Sequence, residues 1–109
     1  MKMYSYDTIH GPGAATLFRS NNCRNDSGYI MAGEGGETMY YTKDELEERN
    51  IDNNAVNSLM VPRRHTVTLC RGDNFKKCDD TFFGLEDEDG RMVCQTMKRN
   101  KNRTTSAMI

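Results

Sequence analysis

Two short segments of this chain concentrate side chains that carry oxygen atoms. Residues 53–58 have the sequence NNAVNS, and residues 101–106 have the sequence KNRTTS. Amide, hydroxyl and backbone carbonyl oxygens are groups that a hard cation such as Ca²⁺ accepts as ligands. The same residue types also form Asx and Ser/Thr turns, which satisfy only their own backbone. The two segments are therefore candidates for cation binding, with simple polar turns as the alternative.

An acidic run at residues 86–90, with the sequence EDEDG, is another candidate for cation binding. An EF-hand loop placed here would need an Asp where Leu85 stands and a Glu where Thr96 stands. Because both are missing, we interpret the run as a solvent-exposed hairpin turn.

The other residue types that could do chemistry lack partners at a useful spacing. His10 and His65 have no Cys or His neighbour at the spacing of metal ligands, so we expect surface or half-buried histidines. Residues 71–73 spell the integrin-type tripeptide RGD, which we interpret as a coincidence. No nucleophile–base pair and no Gly-rich phosphate-binding loop is recognisable, and the sequence therefore predicts a protein that is not an enzyme.

The length and charge of the chain narrow the functional classes further. A chain of 109 residues and 12.5 kDa is enough for one domain. Its 15 Lys and Arg residues against 16 Asp and Glu residues give a formal net charge of −1, which provides no overall attraction to polyanions. We therefore expect neither nucleic acid nor a membrane as a partner. Because the chain has neither a long apolar stretch nor the apolar region of a signal peptide, we expect a cytoplasmic location.

Four cysteines, Cys23, Cys70, Cys78 and Cys94, could form two disulfides in three different pairings. None of their spacings is C-x-x-C and no secretory signal accompanies them, so we expect reduced thiols. A free cysteine within a strand usually behaves as a small buried hydrophobic residue. If a leader had been removed, the expectation would reverse toward disulfides.

The sequence contains an internal repeat. Residues 16–25 (TLFRSNNCRN) align with residues 68–77 (TLCRGDNFKK), and residues 53–61 align with residues 101–109. Two units of this size are too few for a solenoid, which needs about three or more repeats. We therefore expect the two units to bury their apolar faces against each other.

Local patterns predict strands within each unit. Short β-branched or apolar runs lie at residues 15–18, 28–31, 38–41 and 59–61 in the first unit, and at 65–70, 82–85, 92–94 and 107–109 in the second. One helix is predicted at residues 42–49, because Thr42 and Glu45 have the spacing of a capping box. The prediction is thus four strands per unit with one short helix.

The repeated units resemble those of the βγ-crystallin family. In that family each Greek-key unit opens on a strand with an aromatic-x₄-aromatic-x-Gly pattern and closes on a loop of the form Asn/Asp-Asn/Asp-x-x-Ser/Thr-Ser. Residues 53–58 match this loop with Asn57 in place of Ser/Thr, and residues 101–106 match it with Lys101 in place of the first Asn/Asp. The loop match occurs twice, at the end of each unit.

The opening pattern is degraded, since it keeps only Phe18 in the first unit and Phe75 in the second. The resemblance implies an all-β sandwich of two Greek-key motifs, formed by two four-stranded antiparallel sheets. It covers residues 14–109 as a first key at about 14–62 and a second at about 65–109. Residues 1–13 remain as an N-terminal extension.

The resemblance also implies two Ca²⁺ sites at the paired loops, which exchange ligands across the domain. In the family, each loop supplies side-chain oxygens from its early polar positions and its fifth position, and a carbonyl from its third. A further carbonyl comes from the residue just after the first aromatic position. Carried onto this chain, the set is Asn54, Ala55 (carbonyl), Asn57 and Arg19 (carbonyl) in one half, and Asn102, Arg103 (carbonyl), Thr105 and Arg71 (carbonyl) in the other. Nearby positive charge and few carboxylates predict weak to moderate affinity.

The sequence thus predicts a non-enzymatic, calcium-binding domain whose ions stabilise the fold. A monomer is expected, because the repeat buries its core within one chain. The alternative is a secreted inhibitor or toxin-like member of the same fold, held by disulfides instead of calcium. The extension carries apolar side chains but ends in Gly-Pro-Gly, so we expect a docked or mobile arm.

Overall fold

The computed structural model describes residues 13–24 and 27–109, together with the backbone of Tyr4–Ser5. The elements are, in order, β1 (Tyr4–Ser5), β2 (Ala14–Phe18), β3 (Ser27–Met31), a 3₁₀ turn (Glu34–Gly36), β4 (Tyr40–Tyr41), α1 (Lys43–Glu48), β5 (Ser58–Met60), β6 (Thr66–Cys70), β7 (Asp80–Phe83), β8 (Arg91–Met92), β9 (Cys94–Thr96) and β10 (Ser106–Met108).

Eight of these strands form two four-stranded antiparallel sheets. The first sheet has the order β3-β2-β5-β9, and the second has the order β4-β10-β6-β7. Each sheet therefore contains three strands from one unit and one from the other, because β4 and β9 cross over. The predicted fold class is confirmed, and the crossing explains how the two units share one sandwich.

The two units repeat each other in strand register. Leu17 of β2 lies opposite Leu59 of β5, and Leu69 of β6 lies opposite Ala107 of β10. One residue further along, Phe18 faces Ser58. The equivalent pair in the second unit is Cys70 and Ser106. The repeat seen in the sequence is thus a repeat of pairing as well.

The core lies between the two sheets, where the inward side chains of the short β-branched and apolar runs meet. Its buried members are Ala15, Leu17, Ile30, Tyr41, Leu46, Ile51, Val56, Leu59, Val61, Val67, Leu69, Met97, Ala107 and Ile109. Burial of such side chains supplies the main driving force for joining the two sheets.

Helix α1 begins where the capping box predicted it. The Thr42 hydroxyl accepts the backbone N–H of Glu45, and the Glu45 carboxylate accepts the backbone N–H of Thr42. Leu46 is the buried residue of the helix and joins the core. The helix therefore closes the first unit just before its loop at residues 53–58.

All four cysteines are paired, so the expectation of reduced thiols is wrong. Cys23 bonds to Cys94, and Cys70 bonds to Cys78. The first pair is 71 residues apart in sequence, and only the crossing of β9 to the first sheet brings its Cα atoms within 5.9 Å. Disulfides persist mainly in oxidising compartments, so the pairings favour an extracellular location over the expected cytoplasmic one.

The acidic run at residues 86–90 forms a hairpin turn, as predicted. The carboxylate of Asp87 accepts the backbone N–H groups of Asp89 and Arg91, and the chain closes with a bridge between Glu86 and Met92. The carboxylate of Asp87 is therefore engaged in holding the turn.

Within the N-terminal extension, the structure describes the backbone of one short strand. Tyr4–Ser5 pairs with β8 in a two-stranded antiparallel sheet. The rest of the extension up to residue 12, including His10, lies outside the described residues, and so does the expectation of a docked or mobile arm. Within the described part of the chain, no helix has the length and apolar character needed to cross a membrane.

Candidate metal centre at the paired polar loops

The two polar loops lie side by side and hold each other by their backbones. The loop at residues 53–58 leads into β5, and the loop at residues 101–106 leads into β10. The N–H of Asn54 donates to the carbonyl of Thr104 at 2.9 Å, and the N–H of Asn102 donates to the carbonyl of Val56 at 3.3 Å. The loops are thus related by a pseudo-twofold axis that exchanges Asn54 with Asn102.

Both of these asparagines have a left-handed backbone, each with φ of 59°. Asn adopts this conformation more readily than most other residues with a side chain. The Asn at the second position of each loop therefore has a conformational role, separate from any role as a ligand.

The fifth residue of each loop is fixed against the opening strand of its own unit. The N–H of Asn57 donates to the carbonyl of Phe18, and the N–H of Thr105 donates to the carbonyl of Cys70, each at 2.8 Å. Phe18 and Cys70 immediately precede Arg19 and Arg71 in the sequence. These bonds therefore hold the fifth side chain near the carbonyl groups predicted as ligands.

The sixth residue of each loop is a buried serine that holds the folded hairpin of its unit. Ser58 Oγ donates to the carbonyl of Ser20 at 2.5 Å and accepts the N–H of Cys23 at 2.9 Å. Ser106 Oγ makes the equivalent bonds to the Gly72 carbonyl and the Phe75 N–H, at 2.7 and 3.2 Å.

We define site A as the Arg19 carbonyl and the side chains of Asn57 and Asn102. The structure brings these three groups into contact, because Asn57 Nδ2 donates to the Arg19 carbonyl at 2.6 Å and to Asn102 Oδ1 at 2.9 Å. The other atom of the same amide, Asn57 Oδ1, is buried and has no hydrogen-bond partner. Site A therefore joins ligand candidates from both loops, with a donor group between two oxygens.

We define site B as the pseudo-twofold counterpart, formed by the Arg71 carbonyl and the side chains of Thr105 and Asn54. Thr105 is half-buried and Asn54 is exposed. Within the described residues, neither side chain makes a hydrogen bond. Their oxygens are thus available to an external ligand, in contrast to the bonded groups of site A.

The third loop positions, Ala55 and Arg103, were predicted to act through their carbonyl groups. Ala55 is half-buried and borders a small pocket together with Arg19 and Asp52. Arg103 is exposed, and its N–H donates to the Asn100 carbonyl at 3.2 Å. In the described part of the chain, no hydrogen bond joins either carbonyl to the side chains of sites A and B.

Two of the three arginines at the predicted ligand positions are paired with carboxylates. Arg19 forms an ion pair with Asp52, and Arg71 forms one with Asp79 at 2.5 Å. Each pair directs the guanidinium charge to a carboxylate and so reduces its repulsion of a cation. The Arg71–Asp79 pair also engages the arginine of the RGD tripeptide with another part of the same chain.

Among the described residues, no group of three or more His, Cys, Asp and Glu side chains could hold a metal ion. His65 contacts the Arg63 carbonyl through Nδ1 at 2.9 Å. A cation here would depend on amide, hydroxyl and carbonyl oxygens, which Ca²⁺ accepts and softer metals disfavour.

Sequence reasoning missed the second disulfide as a part of the site. The Cys70–Cys78 bond closes a short loop that contains Arg71, and the Cys70 carbonyl holds Thr105. The only signal in the sequence was the close spacing of these two cysteines, which does not by itself identify a pair.

No protein-family model matches the sequence, and no curated protein matches it either. Solved structures do match its fold. The N-terminal domain of protein S is 18% identical, with a TM-score of 0.69 over 88% of this chain and 94% of that one. A βγ-crystallin domain from Clostridium beijerinckii is 23% identical, with a TM-score of 0.66 over 86% and 93%. One from Flavobacterium johnsoniae is 17% identical, with a TM-score of 0.66 over 87% and 92%. The chain therefore has the βγ-crystallin fold that the resemblance implied.

Proposed function

We propose that this βγ-crystallin fold is a non-enzymatic calcium-binding domain, in which Ca²⁺ binds at site B and clamps the two halves together. The observation that supports the proposal is a pair of backbone hydrogen bonds that bring residues of two loops together at site B. The N–H of Asn54 donates to the carbonyl of Thr104, and the N–H of the next residue, Thr105, donates to the carbonyl of Cys70, which precedes Arg71. The amide oxygen of Asn54, the hydroxyl of Thr105 and the carbonyl of Arg71 would hold the ion. All three belong to ligand classes that Ca²⁺ accepts.

Binding at site B would stabilise the folded state. Its ligand groups come from residues 54, 71 and 105, so the unfolded chain does not hold them together. A ligand that binds only the folded state at about 100 times its dissociation constant adds about 2.7 kcal/mol of stability. Because the ligand set contains no carboxylate, we expect a dissociation constant in the weak range of about 10⁻⁴–10⁻³ M.

The test is a calorimetric calcium titration, paired with thermal melts in calcium and in a chelator. We expect heat of binding and a higher melting midpoint in calcium. Thr105→Ala should abolish both effects. Thr38→Ala, which alters an exposed threonine outside both loops, serves as the matched control and should behave as the parent does. Identical midpoints of the parent protein in calcium and in chelator would contradict the proposal.

A second candidate is supported by the two disulfides. Small extracellular domains often rely on disulfides for stability, and here both bonds lie at the folded hairpins. The candidate is a secreted inhibitor or toxin-like module of the same fold, stabilised by Cys23–Cys94 and Cys70–Cys78 and not by calcium. This second candidate predicts a melting midpoint that falls when reductant is added and does not change when calcium is added. A thiol titration of the unreduced protein under denaturing conditions tests this candidate, and four free thiols would exclude it.

A further inference from the structure

We infer that the side-chain amide of Asn57 takes, within the protein itself, the place of a cation at site A. The domain would then carry one Ca²⁺ site, at site B, and one site closed by its own side chain. The count of one ion rests on the proposed function of site B. The closure of site A stands on its own geometry and is tested separately.

The first step of the argument is the position of the Asn57 amide nitrogen. It lies 2.6 Å from the Arg19 carbonyl oxygen and 2.9 Å from Asn102 Oδ1. These two oxygens are ligand candidates that would face a bound ion, and Ca²⁺–oxygen distances are about 2.3–2.6 Å. The NH₂ group therefore contacts the same oxygens that a cation would contact. Its hydrogens carry partial positive charge and so interact favourably with both oxygens.

The second step is the orientation of that amide. The Arg19 carbonyl can only accept a hydrogen bond, so the atom that faces it must be the nitrogen of Asn57. The reverse orientation would bring two oxygens together with no proton between them. In the observed orientation Asn57 Oδ1 is buried without a partner. Asn57 Oδ1 is thus left without a hydrogen bond, while Nδ2 of the same amide donates to the Arg19 carbonyl and to Asn102 Oδ1.

The third step is the contrast with site B. There the fifth loop residue is Thr105, whose side chain makes no hydrogen bond within the described residues, and the opposing Asn54 is likewise without one. The two sites share their backbone arrangement, including 2.8 Å bonds from Asn57 and Thr105 to the ends of the opening strands. The difference between a closed site and an available one therefore resides in the identity of the fifth residue.

A cation entering site A would have to break both hydrogen bonds and turn the amide. Because no carboxylate belongs to site A, there is little charge attraction to offset that loss. Asn57 should therefore exclude Ca²⁺ from site A and join the two loops in the absence of any metal.

The closure of site A is tested by thermal melts in chelator, where calcium plays no part. Asn57→Ala removes both hydrogen bonds, and we expect its midpoint to fall by about 5 °C or more relative to the parent. The matched control is Thr105→Ala, at the pseudo-twofold counterpart of Asn57, because the Thr105 side chain makes no hydrogen bond within the described residues and its backbone φ is not positive. This variant should leave the midpoint in chelator near that of the parent. An Asn57→Ala variant that melts with the parent would overturn the inference. If this variant does not fold, Asn57→Thr is measured in its place and judged by the same criterion.

The ion count is tested by calorimetric titration with CaCl₂. We expect one ion in the parent and a second one in Asn57→Thr, which recreates the fifth residue of site B at site A. Thr105→Asn should lose the ion of the parent. Two ions in the parent, or no gained ion in a folded Asn57→Thr, would overturn the inference about site A. No ion in the parent, combined with the expected melts in chelator, would instead reject calcium binding at site B and leave the amide closure standing.

Discussion

Cys23 and Cys94 join the folded hairpin of the first unit to the strand of the second unit that crosses into its sheet. Cys94 begins β9, and in the register of that sheet it lies opposite Met60 of β5. Cys23, Met60 and Met92 pack together with Phe18 in a small buried cluster apart from the main core. The disulfide therefore reinforces the place where the two units are interlocked.

The two disulfides should differ in their contribution to stability. In the chain-entropy description, the Cys23–Cys94 bond with its separation of 71 residues accounts for about 4.4 kcal/mol, and the Cys70–Cys78 bond with a separation of 8 for about 2.5 kcal/mol. We expect urea denaturation of the double alanine variants to give losses in that order. Equal losses, or a larger loss for the shorter loop, would contradict the entropic explanation.

The shorter disulfide should matter more for calcium. Its loop contains Arg71, whose carbonyl belongs to site B, and the Cys70 carbonyl holds Thr105 in place. Opening the loop by replacing Cys70 and Cys78 with alanine should weaken calcium binding several-fold, because fewer ligand groups remain pre-positioned. The Cys23→Ala/Cys94→Ala variant is the comparison and should keep its calcium affinity, measured by calorimetry below the melting transition of each variant.

The buried serines should be important for stability although neither is a ligand candidate. Ser58→Ala leaves the buried N–H of Cys23 without its acceptor, and Ser106→Ala removes the acceptor of the half-buried N–H of Phe75. Each substitution should lower the free energy of unfolding by about 1–3 kcal/mol, measured in urea. Ser20→Ala, which alters a hydroxyl bonded within an exposed hairpin, is the control and should lower it by about 0.5 kcal/mol or less.

Gly28 should tolerate no side chain. A Cβ atom at this position would lie 2.1 Å from the Arg49 carbonyl oxygen and 2.6 Å from a side-chain carbon of Ile51. Gly28→Ala should therefore destabilise the fold by about 3 kcal/mol, since the backbone beyond α1 would have to move. Gly35→Ala is the comparison, because it meets no atom within 4 Å and has only the strain of a φ of 75°. A Gly28→Ala variant as stable as Gly35→Ala would show that the backbone at residues 49–51 yields easily.

The parts of the fold that could be predicted are those with local causes. The capping box of Thr42 and Glu45 acts over three residues, and it places the start of α1 correctly. The apolar runs likewise locate the opening strands, β2 and β6. The sequence predicts strands at both 28–31 and 38–41. The second of these strands, β4, is only two residues long (Tyr40–Tyr41) and lies in a different sheet from the first, β3. Nothing within either segment specifies which sheet it joins.

The site shows the same division. The positions of the two polar loops follow from the repeat, since each precedes the closing strand of its unit. The hydrogen bonds of Asn57 to Arg19 and Asn102 form only because three segments distant in sequence lie next to each other in the fold. The sequence alone does not show which segments become neighbours. The sequence left three cysteine pairings open for this reason too, because Cys23 and Cys94 become neighbours only where β9 crosses between the sheets. The expectation of reduced thiols rested on the missing C-x-x-C spacing and secretory signal, and neither reports which cysteines meet in the fold.

The crossing of β4 and β9 means that neither half of the chain contains a complete sheet. The halves are joined through an exposed pair of basic residues, Arg63 and Arg64, which is a favourable substrate for trypsin-like proteases. A cut between these residues would not release two domains. The fragments would each still contribute a strand to the other's sheet, and Cys23–Cys94 would connect them covalently. On a denaturing gel, the nicked protein would therefore migrate as one chain until it is reduced. Either half alone would have an unpaired sheet edge where the strand of the other half belongs.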